Sequence, residues 1–293
     1  MSLVDDFIEY LKFERNYSDK TVAAYREDLV SFQDFAGRNC QEGETEDAGT
    51  VREWVMQMMD RGYATSSINR KLSTLRTYYK FLMKKGLIDA DPTRKVARPK
   101  SSKPLPVFVK EKEMDRLLDD VDFGDDFKGV RNHLIIQMFY ETGVRLAELI
   151  GLDLKDVDFF GSVIKVTGKR DKQRLIPFYK ELREGMQKYL ERRNALDAAG
   201  LSEAFFVKED GNRITRGEVA KVVRDALSTV STVKKKSPHV LRHSFATAML
   251  NHDAELGAIK ELLGHESLQT TEIYTHTTFE ELKKVYKQAH PRA

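Results

Sequence analysis

Apolar residues recur every three or four positions through the N-terminal third of the chain: Val4, Phe7, Ile8 and Leu11, then Val22, Tyr25, Leu29 and Phe32, then Ile68, Leu72, Leu75, Tyr79 and Leu82. That spacing puts each set on one helical face and predicts amphipathic helices. A weaker repeat around Trp54 and Met58 makes four helices. Ser18 and Thr65 stand where N-caps belong for the second and last, and Gly86 where a glycine stop belongs. The pattern then breaks. Four of the seven prolines, Pro92, Pro99, Pro104 and Pro106, fall within "DPTRKVARPKSSKPLPV", among basic and small residues, which predicts an extended linker. The expected organisation is a helical domain over 1–91, a basic proline-rich linker over 92–106 and a second domain over 107–293.

In the second domain, "EMDRLLDDV" and "NHLIIQMFYETG" carry helical patterns. Period-two alternation occurs in "VDFFGSVIKVTGKRDKQRLIPF", where Ile164 and Val166 alternate with Lys165 and Thr167 and a charged turn leads to Leu175 and Ile176. This predicts a small antiparallel sheet. From Tyr179 onward the pattern is mainly helical. The fold class expected is mainly α with a small antiparallel β-sheet, an N-terminal four-helix domain followed by an α+β domain.

The length of 293 residues suffices for two separately cored domains. The single cysteine, Cys40, excludes an internal disulfide framework and a thiolate metal cluster. The start "MSLVDDFIEY" lacks the basic run and apolar core of a secretory signal, and no apolar stretch is long enough to span a bilayer. A cytoplasmic protein without membrane contact is expected.

Net charge is only +3, but it is unevenly spread. From Arg61 to Pro106, twelve Lys or Arg face Asp89 and Asp91, giving 12 − 2 = +10 and leaving +3 − 10 = −7 for the rest. At the other extreme, "EKEMDRLLDDVDFGDD" holds eight acids against two bases. A basic band beside an acidic surface suits a polyanion bound in one orientation. Within the band, Arg70, Lys71, Arg76, Lys80 and Lys84 are expected on the last N-terminal helix, away from its apolar stripe and interleaved with Asn69, Ser73, Thr74 and Thr77. The cations would hold DNA phosphates while the amides and hydroxyls reach base edges.

The candidate chemistry lies downstream. "TGVRLAELIGL" holds Arg145 and Glu148, "GKRDKQR" holds Lys169, Arg170, Lys172 and Arg174, "HVLRHSFATAML" holds His239 and Arg242, "LLGHESLQTT" holds His265, and "IYTH" holds Tyr274. Two arginines are two planar, permanently charged forks, suited to the oxygens of a phosphodiester as its charge grows during attack. His239 and Arg242, three apart, share one face of a helix whose buried stripe is Leu241, Phe245, Ala248 and Met249. Ser237 and Pro238 would start that helix and put His239 in its first turn, where the helix dipole favours an anion. The four cations of the β turn also suit a simple clamp on the DNA backbone. Glu148, by its charge, is no phosphate ligand; it would orient His239 or Arg145.

Taken in this order, the motifs resemble the tyrosine recombinase (phage integrase) family, and its Xer-like branch most closely. The resemblance spans essentially the whole chain. It implies an N-terminal SAM-like core-binding domain and a catalytic domain, with Arg145 and Arg242 clamping the scissile phosphate. It further implies Lys169, directly after Gly168, as general acid, His239 as base, His265 as phosphate donor and Tyr274 as nucleophile. Such chemistry calls for no cofactor, metal or ATP, because a 3′-phosphotyrosyl bond keeps the energy of the broken linkage. The implied partners are duplex DNA with an inverted-repeat site and a homo- or hetero-tetramer with another recombinase, acting through a Holliday junction. A septal DNA translocase would join them if the task is chromosome dimer resolution. Integration of a mobile element, relaxation of the type IB topoisomerase kind, and non-catalytic DNA-binding regulation are the other functions weighed.

Overall fold

The computed structural model describes residues 2–39, 47–100, 107–168, 171–196, 202–264 and 276–292, with backbone only at 39 and 276–281. The chain divides into two compact units, Met1–Pro104 and Leu105–Ala293.

The first unit is built from α1 (Leu3–Glu9, running on through a wider π turn to Glu14), α2 (Asp19–Asn39), α3 (Ala48–Asp60) and α4 (Thr65–Lys84). Its core contains every apolar position picked out by the helical spacing except Tyr25, which packs against it half-buried. Ser18 caps α2, its Oγ accepting from the Thr21 N–H. Thr65 does not cap α4: it is the first helical residue, and Ala64 holds the capping position without a side-chain bond. Gly86 does end α4, in the left-handed region at φ 69°, with Leu87 N–H reaching back to the Leu82 carbonyl.

Two expectations for this unit change. Residues 92–100 are not a free extended strand. Pro92–Lys95 form a 3₁₀ turn, Thr93 and Val96 are buried, Arg76 donates to the Val96 carbonyl at 2.9 Å, and Asn69 donates to that of Pro99 at 3.1 Å. Lys71 is not on a DNA-facing surface either. It is buried and paired at 2.9 Å with Asp28 of α2, which also accepts from Thr74 at 2.8 Å and from Arg70. A carboxylate with no exposed surface needs those donors.

The second unit centres on α6 (Phe127–Thr142), buried on nearly every side from Gly129 onward. Around it pack α5 (Glu111–Asp119), α8 (Lys180–Asn194), α9 (Arg216–Val230) and α10 (Pro238–Asn251). A short helix α7 (Leu146–Gly151) leads to the sheet, β1 (Val157–Asp158), β2 (Val163–Thr167) and β3 (Gln173–Pro177) in that order, antiparallel throughout. The expected Ile164–Ile176 layer forms, with those two residues directly paired and fully buried. Near the C-terminus, α11 (Leu256–Leu263) and α12 (His276–Ala289) share a smaller core with Phe245 and Met249 of α10. Among the described residues no helix is long and apolar enough to cross a membrane.

Candidate active site

Three features of the chain bring charged groups together at the ends of α6, α7, α10 and α11. The first is Gly143. It ends α6 in the left-handed region at φ 61°, so the chain reverses and Arg145 becomes the N-cap residue of α7. The second is Glu148, in the first turn of α7: its Oε2 accepts the Arg145 N–H at 2.8 Å, and its Oε1 accepts Arg145 Nη1 at 2.8 Å. The third is Gly264, which ends α11 at φ 64° and leaves that helix's last carbonyls without helical partners.

Arginines take those carbonyls. Arg174 Nε donates to Leu262 at 2.8 Å, Arg242 Nη2 to Leu263, and Arg145 Nη2 to Gly264 at 2.7 Å. Arg242 also donates through Nη1 to the Gly143 carbonyl. Cations at the negative end of a helix dipole are favoured, and here three from distant segments converge on one turn. Each guanidinium has five N–H donors. Among the described residues Arg145 and Arg242 commit two apiece, leaving three on each for a ligand.

Electrostatics favour an anion. Three arginines against Glu148 leave 3 − 1 = +2. Burial by itself would raise the Glu148 carboxyl, but the Arg174 hydrogen bonds and charge, aided by Arg145, outweigh it and hold the group at about 2. Desolvation, then the charges of Arg145 and Arg174, lowers the Arg242 guanidinium to about 9, which still leaves it a cation at neutral pH. Arg242 is 7% exposed, whereas the Arg145 side chain is 37% exposed and open to an incoming ligand.

α10 begins as the sequence suggests, with Ser237 at the N-cap position, Pro238 first and His239 in the opening turn, though Ser237 Oγ makes no capping bond. Leu241, Phe245, Ala248 and Met249 are all buried. His239 is exposed, and desolvation together with Lys235, His243, Arg242 and Arg216 lowers its pKa below the ordinary histidine value. A neutral ring at neutral pH can accept a proton.

Of the residues singled out in sequence, Arg145, Glu148 and Arg242 meet directly or through one neighbour. Glu148 orients Arg145 and makes no bond to His239. Lys169, Arg170, His265 and Tyr274 lie outside the described residues, although Gly168 and Gly264, which precede Lys169 and His265, are in place. A β-carbon on Gly168 would lie 3.3 Å from Glu148 Oε1, so the chain leaves β2 beside the acid. Lys172 is exposed, directly before β3. Arg70 and Lys71 are tied to Asp28, Arg76 to a backbone carbonyl, and Lys84 lies 3.9 Å from Glu14; Lys80 is exposed.

The sequence reading missed Arg174, placed there only as one of four turn cations. It is a strand residue whose Nη1 and Nη2 both bind Glu148 at 2.8 Å. The signal was strand phase: Arg174 alternates with Leu175 and so shares the inward face of Ile176.

Comparison with known proteins identifies the family. Residues 107–281 match the phage integrase family and residues 4–86 the phage integrase N-terminal SAM-like domain. The tyrosine recombinase XerC of Chlorobaculum parvum is 38% identical over 317 residues, covering 99% of this chain and 94% of that protein. XerC of Staphylococcus epidermidis is also 38% identical, over 289 residues, covering 99% and 97%. Among solved structures, the XerH recombinase bound to a palindromic difH substrate shares the fold with a TM-score of 0.74 at 22% identity, covering 96% of this chain and 83% of that one. The chain belongs to the phage integrase family and is a tyrosine recombinase of the Xer-like kind.

Proposed function

We propose that the chain cuts and rejoins duplex DNA at an inverted-repeat site, with Tyr274 as nucleophile, in the service of chromosome dimer resolution. The tyrosine oxygen bonds to phosphorus, the bond to the 5′ oxygen breaks, and a 3′-phosphotyrosyl link remains. Arg145 and Arg242 meet the charge that builds on the non-bridging oxygens, and His265 donates a further hydrogen bond to them. His239 takes the tyrosine proton and Lys169 supplies one to the leaving 5′ oxygen. The released 5′ hydroxyl attacks the partner duplex by the reverse chemistry, and two such exchanges pass through a Holliday junction. Four protomers on paired sites, of one or two kinds of recombinase, perform them in the cytoplasm, with a septal DNA translocase as a further partner.

One observation carries this reading: two arginine forks, each with three donors uncommitted among the described residues, are held at one +2 cluster by a carboxylate and a helix terminus. The Xer-like task is supported by length, since this chain spans 94–97% of the XerC proteins compared. Covalent capture tests it. Wild type and Tyr274→Phe are incubated with nicked genomic fragments and denatured, and the attached DNA is sequenced. Recovery of one inverted-repeat chromosomal site by the wild type alone is expected. Equal, empty recovery from both would end the enzymatic reading, and recovery at the ends of a mobile element would move the task to integration.

A further inference from the structure

An arginine in the middle of a strand, 6% exposed, requires a reason, because burying a guanidinium without compensation is unfavourable. Arg174 pairs across the sheet with Val166, on the same inward face as Ile176. All three of its guanidinium nitrogens are used. Nη1 and Nη2 form a fork on Glu148 at 2.8 Å each, and Nε reaches the Leu262 carbonyl at 2.8 Å. Gly264 lies against the same guanidinium, where a β-carbon would be 3.3 Å from its Cδ and Nη1. One buried side chain therefore joins β3, the first turn of α7 and the last turn of α11.

Glu148 is the hub of this arrangement. Its side chain is 2% exposed, and it holds Arg145 through both a backbone N–H and Nη1. With Arg174 present, the carboxylate is neutralised from the interior and its two oxygens are each shared. With Arg174 absent, Arg145 would be the only cation among the described residues still bonded to Glu148, and a buried carboxylate would draw that fork inward. The charge and donors of Arg145 would then be spent on Glu148 instead of a phosphate.

We infer that Arg174 is a positioning residue for strand cleavage. By neutralising Glu148 and fixing the end of α11, it keeps the remaining donors of Arg145 aimed at the scissile phosphate. The inference rests on the proposed cleavage chemistry and adds to it a residue that does not touch DNA.

The test compares Arg174→Lys, which keeps the charge but loses the fork, and Arg174→Met, which loses both, in the full chain. Each is assayed for single-turnover cleavage of a nicked site with an ordinary scissile phosphate and with a methylphosphonate, which lacks one of the charges that the arginines meet. DNA affinity at fixed salt should stay within about twofold of wild type, while cleavage of the ordinary phosphate falls about 10²-fold in Arg174→Met and less in Arg174→Lys. The methylphosphonate should shrink the deficit to under about tenfold, because less charge now needs an aligned Arg145. That ratio is taken within one variant, so a reduced folded fraction cancels from it. The inference is overturned by wild-type cleavage rates in both variants, or by a deficit that is the same on both substrates. An absence of any adduct from wild type would instead remove the cleavage reading on which it rests.

Discussion

At Gly143 the backbone leaves α6 with φ 61°, and a β-carbon there would stand 2.6 Å from Phe245 and 2.8 Å from Leu263. The same residue offers its carbonyl to Arg242 and lies two positions before Arg145, so one small residue sets the approach of both arginine forks. Gly143→Ala adds a left-handed backbone penalty to an overpacked contact and should destabilise the second unit by about 2–4 kcal/mol. Trp54, the one tryptophan, is buried in the first unit, so its fluorescence reports that unit alone. Urea unfolding should therefore show an early transition by circular dichroism that Trp54 fluorescence does not follow; coincident, unshifted transitions would refute the argument. The Arg145–Glu148 pairing was legible in sequence because an acid three positions after a helix's N-cap residue can reach back to it. Arg174 was equally legible by phase, but its charge suggested the surface, and its partner lies 26 positions away, where a single sequence gives no pairing.

The same lesson holds for α4 as an element. Position 71 belongs to the apolar stripe by spacing, three after Ile68 and four before Leu75, and the helix does bury it. What the sequence did not reveal was Asp28, 43 positions earlier on α2, which makes a lysine tolerable there. The basic face of α4 is accordingly thinner than its composition implies, and its cations separate into structural and available ones. Lys71→Met should destabilise the first unit by about 1–3 kcal/mol, read by Trp54 fluorescence, because Asp28 loses one of its donors. It should leave the salt dependence of DNA binding unchanged. Lys80→Ala, at an exposed position, should do the reverse, lowering the slope of log affinity against log salt by about 1 without moving the unfolding midpoint. A reduced salt slope in Lys71→Met with unaltered stability would return that lysine to the DNA face. Most of the helical framework was thus readable from periodicity, whereas the docking of residues 92–100 was not, because Val96 is a lone apolar residue with no period of its own.

At the scale of the whole chain, the C-terminal residues close back onto the central helix of the second unit, and two titratable groups of opposite kind are sealed beneath them. The Tyr286 hydroxyl donates to the Glu141 carbonyl, and His290 Nε2 lies 3.2 Å from the Tyr140 carbonyl with its ring stacked on Tyr286 at 5.0 Å. Arg292 donates to Asp119 and Glu181 at 2.7–3.0 Å. Burial raises the Glu141 carboxyl from 4.5 to about 8, against the lowering effects of the Gln137 hydrogen bond and the Arg292 charge. Gln137 Nε2 donates to Glu141 Oε1 at 2.9 Å from four residues away on the same helix. Burial lowers His290 from 6.5 to about 4. For Glu141 the folded state binds the extra proton between about 4.5 and 8, so stability falls as pH rises through that window. For His290 the unfolded state binds it between about 4 and 6.5, so stability is lost as pH falls through that one. The two slopes oppose each other up to about 6.5, and above it only the Glu141 loss remains. Glu141→Gln removes that term while keeping an oxygen to accept from Gln137. Its melting temperature relative to wild type should therefore climb steadily from pH 5 to pH 8, by an amount equivalent to a few kcal/mol at most. A difference that stays constant across this range would mean that Glu141 titrates as it does in water, and that the floor beneath the C-terminal helix is wet.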